Sequence, residues 1–302
     1  MLKYGKHRIT AITRNDSANK IPEGVYVKKV DYNDQSSLVE ALKGQDALII
    51  TMAITAPPDQ ETKLVEAAAE AGVPWVIPNE FGGNGLNEEV GRDILIGVQK
   101  KKNRDHIEEL GKSSWIGISC GFWYEYSLAG GPYRYGFDLK NRSVTFFDDG
   151  NTRLNTSTWP QTGRSVAYLL GLKVLRHDAD DKSPCLADYR NKFAFVSSFT
   201  ISQKDMFDSV LRVTGTRADD WKITYKPAVE VYQEGIEQME SGNMAGFVKR
   251  LYSRMFFPDL AGNFEATQGL DNDKLGLPKE DLDEFTKVAL QLVENGYFDK
   301  RF

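Results

Sequence analysis

The sequence predicts an α/β protein built on a Rossmann-type, doubly wound parallel sheet, with a smaller α+β part attached. Three observations predict it. Short β-branched and aliphatic runs alternate with helical patterns from residue 8 to residue 119, the spacing of βαβ units. Those runs are nearly continuous in apolar residues, which suits strands covered on both faces. The second half keeps helical patterns but loses the regular alternation.

The elements follow in order. Residues 8–13 (RITAIT) form a β-branched run after Gly5, a helix-ending signal. Residues 25–30 read as a strand, and 35–43 as a helix stopping before Gly44. Residues 46–51 (DALIIT) are a buried-type strand, and 58–71 an Ala/Glu-rich helix ending at Gly72. A strand at 74–78, one helix from Glu88 to Leu110 and a strand at 114–119 complete the alternation. Beyond it, 142–148 and 193–201 read as strands. Helices are predicted at 159–173, 203–214, 227–240, 243–255 and 279–294. No repeat or Pro/Gly-rich linker separates the parts. Residues 1–130 are therefore read as a dinucleotide-binding domain and 131–302 as a substrate part sharing its core.

A doubly wound sheet places its first strand centrally, followed by a Gly-rich turn that presents backbone N–H groups to a pyrophosphate. Here the chain opens on what reads as the tail of the first helix, so the first strand and its turn are missing. Their neighbours would be left with unpaired backbone groups. The expectation is that the natural protein is longer and Met1 an internal start. Gly82-Gly83-Asn84-Gly85 follows a strand but lacks the full spacing and an immediate helix.

Composition narrows the function. A net charge of −5 argues against a nucleic-acid or acidic-membrane binder. No apolar run is long enough to span a bilayer, and the N-terminus lacks a secretory apolar region. Cys120 and Cys185 form no CxxC pair, which suits a reducing, cytoplasmic setting. His7, His106 and His177 are scattered, so neither a metal site nor a Ser-His-Asp triad is expected. No Tyr-x-x-x-Lys spacing occurs.

Candidate residues come from strand ends. Arg14 closes the first strand, where an arginine suits the 2′-phosphate of NADP; the alternative is an exposed loop arginine. Thr51, Met52 and Ala53 follow one strand, and Pro78, Asn79, Glu80 and Phe81 the next. Lys100 is the sharpest signal. Ile96, Lys100, Asn103, Ile107 and Leu110 share one helical face, so an ammonium interrupts a mostly apolar stripe. Beside apolar walls and two neighbouring lysines, that amine is expected to lose its proton more readily and so serve proton transfer. The alternative is a lysine snorkelling from the stripe's edge. Phe122, Trp123 and Tyr124 follow a third strand; they would line a flat substrate pocket or pack the two parts together.

HRITAITR, KKVDYND, ALKGQDALIIT, EAAAEAGVPWVIPNEFG and KKKNRDHIEEL together resemble the NmrA-like and isoflavone-reductase-like atypical short-chain dehydrogenases, most closely the fungal isoflavone-reductase-like oxidoreductases. The resemblance spans residues 1 to about 130 and continues more loosely beyond. It implies NADP(H) and a proton-assisting lysine eight residues before the Glu of an Ile-Glu pair. Ile107-Glu108 places that lysine at Lys100. The family's Pro-x-Glu-Phe-Gly motif matches Pro78 to Gly82, and its 2′-phosphate arginine matches Arg14. The missing GxxGxxG turn is the departure.

The leading expectation is an NADP(H)-dependent reductase of a small aromatic or conjugated substrate. The alternatives are a non-enzymatic dinucleotide sensor that contacts a regulatory partner, or a form that binds no cofactor. A homodimer fits either of the first two.

Overall fold

The computed structural model describes residues 1–53 and 56–299. The first half alternates as expected: β1 (Thr10–Arg14), β2 (Tyr26–Val30), α1 (Gln35–Leu42), β3 (Ala47–Ile49), α2 (Gln60–Ala71), β4 (Trp75–Ile77), α3 (Glu88–Asp93), α4 (Gly97–Leu110) and β5 (Ser114–Ser119). The second half runs β6 (Phe122–Trp123), α5 (Tyr124–Ala129), β7 (Phe137–Asp138), β8 (Ser143–Phe147), β9 (Arg153–Ser157), α6 (Trp159–Leu169), β10 (Lys192–Phe195) and β11 (Phe199–Ser202). It continues through α7 (Gln203–Thr214), β12 (Lys222–Lys226), α8 (Ala228–Glu240), α9 (Ala245–Ser253), α10 (Phe264–Gln268), α11 (Asn272–Leu275) and α12 (Leu282–Glu294).

The central sheet is parallel throughout, in the order β10-β5-β4-β3. Its residues alternate between two apolar layers, as the period of a strand requires. Leu48, Ile50, Val76, Trp115, Phe193 and Phe195 face one core, which α1, α2 and α4 cover with Leu38, Leu42, Leu64, Val65 and Ile107. Ile77, Ile116, Ile118, Ala194 and Val196 face the other, covered by Val166 and Leu169 of α6. β1 and β2 pair in parallel as a separate sheet, Thr10 opposite Tyr26. Among the described residues no ladder joins β1 to β3. The division at residue 130 does not follow the sheets, because β10 from the second half forms an edge of the first sheet. A third core gathers β8, α5, α7, α8 and α12 around Phe137, Phe146, Phe207 and Trp221.

Several elements differ from the sequence reading. The helix expected over Glu88–Leu110 breaks at Leu95, whose φ is 70°. The break lets Gly91 and Gly97 pack so closely that a β-carbon on Gly97 would lie 2.3 Å from the Gly91 Cα. Ile96 thus becomes the cap of α4 rather than part of its stripe. The run 193–201 is two strands in two sheets. The chain turns at Ser197, whose hydroxyl donates to Phe199 O at 2.7 Å. β6, β9 and β12 and helix α5 escaped the sequence reading.

α12 docks on α7 through one charged clamp. Arg212 donates to Asp283 at 2.9 and 2.7 Å, and the Ser209 hydroxyl donates to it at 2.6 Å. The Arg212 guanidinium is the main cause holding the Asp283 carboxyl down at about 2. A depressed carboxyl stabilises the fold above its unfolded value of about 4, and that stability is lost as pH falls through its folded value. Asp283→Asn is therefore expected to lower Tm by roughly 1 to 2 °C at pH 7, since the pair is largely solvated. In thermal melts the deficit should narrow below about pH 4. A deficit constant down to the acid limit would show that the charge is not the cause.

Candidate functional site

The carboxyl ends of parallel strands are where open α/β sheets bind ligands. Beyond β1 and β2 lies a cleft of about 280 Å3 lined by Arg14, Asn15, Asp16, Val30, Asp31, Tyr32 and Asn33. The Arg14 side chain is 72 % exposed, and its only carboxylate neighbour among the described residues, Asp16, stands 3.6 Å away. Burial pushes the Tyr32 hydroxyl up, and Arg14 partly opposes that. The cleft joins the next strand end through α2, where Lys63 donates to Asn33 Oδ1 at 3.4 Å.

Beyond β3 and β4 the loops are tied to each other. Asn79 Nδ2 donates to Met52 O at 3.0 Å, and the Asn79 N–H donates to the Glu61 carboxylate at 2.9 Å. Thr51 and Ala53 are exposed, whereas Pro78 is buried. Phe81 packs into the core on the α6 face. The next residue pair fixes the turn. Glu80 is 3 % exposed and Arg104 7 %, and they form a buried ion pair. Arg104 also donates to Gly85 O at 3.1 Å and lies over Trp115 and Phe193. Gly82–Gly85 is accordingly a strap. The Gly82 carbonyl accepts from the Cys120 and Gly121 N–H groups at 2.9 Å, and the Gly83 carbonyl from Ser119 Oγ at 3.0 Å. Its carbonyls, the wrong polarity for a phosphate, face inward. Gly85 needs its missing side chain because a β-carbon would lie 2.3 Å from the Phe193 ring.

Lys100 is half-buried on α4, one turn before Arg104. Its Nζ lies over the same turn, 3.8 Å from where a β-carbon on Gly82 would be. Its surroundings are more polar than the stripe suggested. Glu61 and Cys120 both feel its charge, and Asn103 is buried beside it. Burial pushes the Cys120 thiol up to about 11, against hydrogen bonds involving Thr162 and Trp123.

The aromatic trio does not act as one. Trp123 is 36 % exposed, and Phe122 stacks on Tyr252 with ring centroids 3.9 Å apart. Tyr124 lies fully buried, its hydroxyl 2.7 Å from Thr286 Oγ1, so it packs α5 onto α12 and lines no pocket. The structure thus brings Met52, Asn79 and Lys100 together and sets Arg14 in an adjoining cleft. It also gathers Asp31, Tyr32, Asn33, Glu61 and Cys120, which sequence reasoning missed. Only the KKVDYND segment, as a strand-end loop, could have signalled the first three. A polar cleft of about 490 Å3 lies elsewhere, lined by Glu234, Glu237, Gln238, Ser241 and Lys249 and by none of these residues.

The arrangement offers at one end an exposed guanidinium, near Asp16, beside a half-buried ring. At the other end it offers an ammonium over a rigid turn. Among the described residues no Gly-rich turn lies between them.

Residues 1–129 match the NmrA-like family. The oxidoreductase aprR of Aspergillus flavus is 27% identical over 289 residues, covering 94% of this chain and 90% of that one. The oxidoreductase poxI of Penicillium oxalicum is 25% identical over 301 residues, covering 96% and 88%. Among solved structures, an isoflavone reductase superposes with a TM-score of 0.72 at 19% identity, over 94% and 92% of the chains. AtPrR2 with NADP+ and (+)pinoresinol superposes at 0.66 and 18% identity, over 95% and 92%. These structural likenesses establish a Rossmann-like fold.

Removing the Glu80 charge leaves a desolvated guanidinium without its anion. Glu80→Gln is expected to cost about 3–5 kcal/mol in urea unfolding. A loss under about 1 kcal/mol would mean that water reaches Arg104.

Proposed function

Because the chain fits the NmrA-like and isoflavone-reductase-like family, we propose that it is an NADP(H)-dependent oxidoreductase that reduces a small aromatic or conjugated substrate. The observation that supports this most is the Lys100 ammonium held over the Pro78–Gly82 turn, beside the loop that carries Met52 and Asn79. The fungal relatives are named oxidoreductases, and one neighbour in fold is a complex with NADP+ and a pinoresinol.

NADPH, when bound, supplies a hydride. This chain's own residues supply the rest. Arg14 would hold the 2′-phosphate, favouring NADPH over NADH, and Tyr32 and Asn33 line the same cleft. Met52, Ala53, Thr51, Pro78 and Asn79 shape the crevice toward the nicotinamide end. Lys100 Nζ gives its proton to the substrate atom that gains negative charge. The exposed face of Trp123 offers an aromatic wall for a flat substrate. Both cysteines are buried free thiols, which fits a cytoplasmic setting.

Titration of tryptophan fluorescence with NADPH tests the binding half. Saturable binding is expected, with Arg14→Ala weakening NADPH at least about tenfold and leaving NADH unchanged. A flat titration would refute the reading. Turnover of quinones, conjugated enones and aromatic ketones tests the chemistry. Lys100→Ala is expected to lower kcat by about 10²–10⁴, and unchanged turnover would remove Lys100 from the reaction.

A further inference from the structure

α12 ends at Glu294, and the chain reverses at once. The Gly296 N–H donates to Val293 O and the Tyr297 N–H to Leu292 O, both at 3.0 Å. Gly296 takes a φ of 60°, left-handed backbone that suits a glycine beyond a helix end. The reversal brings Tyr297 and Phe298 onto α5 and the start of α6.

Four rings close on one another there. Tyr126 meets Phe298 at 5.1 Å between centroids, and Phe298 meets Tyr297 at 5.2 Å. Tyr297 meets Trp159 at 6.1 Å, and Trp159 meets Tyr126 at 6.0 Å. All four are half-buried. The buried Arg134 guanidinium lies over Tyr126 at 4.7 Å and over Phe298 at 4.8 Å. It also donates to the Tyr126 hydroxyl at 3.2 Å. Phe298 thus sits on the pair of groups, a ring and a planar cation, that would hold any flat aromatic.

Trp123 connects this cluster to the candidate site. Its exposed indole stands edge-on to Tyr126 at 6.0 Å. It lies two residues beyond Gly121, whose N–H donates at 2.9 Å to Gly82 O in the turn beneath Lys100. Polar atoms are shut in beside the same rings. One Glu125 oxygen accepts the Trp159 N–H at 2.9 Å, and the other is buried with no hydrogen-bond partner among the described residues. Arg134 Nε is in the same state, as is the hydroxyl of Ser157, which faces Trp123 across the β6–β9 ladder. Buried polar atoms without partners are costly, so a ring that carried a hydroxyl into this region would relieve them.

We propose that Phe298 is a specificity-determining residue: with Tyr297 it closes the aromatic cluster behind Trp123 and limits how far a hydroxylated aromatic substrate lying on that indole can extend. Removing the Phe298 ring leaves a ring-sized space against Tyr126 and Arg134, which the second ring of a fused aromatic would fill.

This inference rests on the proposed function only in placing a substrate ring on Trp123, and its test needs neither cofactor nor turnover. Isothermal titration calorimetry compares phenol with 2-naphthol. Phe298→Ala is expected to tighten 2-naphthol several-fold and to leave phenol within about twofold. Phe298→Tyr, which keeps the ring, should keep the unaltered ratio, and Trp123→Ala should weaken both ligands. A merely structural phenylalanine would move both ligands together. Melting curves check that each variant is folded; if the alanine variant is not, the smaller Phe298→Leu should shift the ratio in the same direction. An unchanged ratio in the Ala and Leu variants, the same shift in Phe298→Tyr, or no binding of 2-naphthol to any form would overturn the proposal. Should the NADPH titration stay flat while the ratio shifts as expected, the reductase reading fails and the role of Phe298 stands.

Discussion

The site depends on one desolvated charge. Arg104 lies over the rings of Trp115 and Phe193, and its partner Glu80 is equally shut off from water. A buried guanidinium that loses its anion is far costlier than the pair is beneficial. The pair therefore leaves α4 and the turn after β4 no freedom to slide apart. Gly85 and Gly117 follow from the same packing, since a β-carbon on either would lie within 2.4 Å of Phe193. Lys100, one turn earlier on the same helix, inherits its position from that lock.

The attachment of β1 and β2 is of a different kind. No backbone ladder among the described residues ties them to β3; they are held by side chains instead. Val30, Leu38 and Leu42 share a core with Leu48 and Ile50, and Lys63 reaches Asn33. Backbone ladders fix register, whereas a shared apolar core tolerates small sliding. The Arg14 cleft is thus joined more softly to the Met52–Asn79 loops than those loops are to each other. A ligand spanning both would bind the docked arrangement alone and stabilise it by linkage.

How legible this was in the sequence follows from which forces each feature needs. The alternation from residue 10 to residue 119 was readable because period-two and period-3.6 apolar patterns are local. Arg14 and Lys100 were readable for the same reason, one at a strand end and one on a helix face. The break at Leu95 was not, since it depends on Gly91 and Gly97 meeting across a bend. Nor was the split of FAFVSSFTI, whose two apolar halves look like one strand until Ser197 turns the chain. β12 carries polar residues at alternate sites and β9 is polar at every position but Leu154, so neither has the apolar continuity of the central strands. Glu61 was hidden because a glutamate early in an Ala/Glu-rich helix is ordinarily a solvated, dipole-favoured acid. Only the packing of α2 against the Asn79 turn redirects it.

On the proposed reading, several other titratable groups are poorly placed to take the role given to Lys100. Cys120, with its thiol pushed up to about 11, is neither an effective acid nor a thiolate at neutral pH. Tyr124 is sealed against Thr286, and burial drives its hydroxyl well above the usual range. Glu125 spends one oxygen on the Trp159 N–H, and burial favours its protonated form. His7 is turned to Ala167 O, and His106 faces Glu66 on the outer side of α2. A proton donor must reach the crevice and recharge from water. Lys100, in contrast, is half-buried on the helix beside the strand ends.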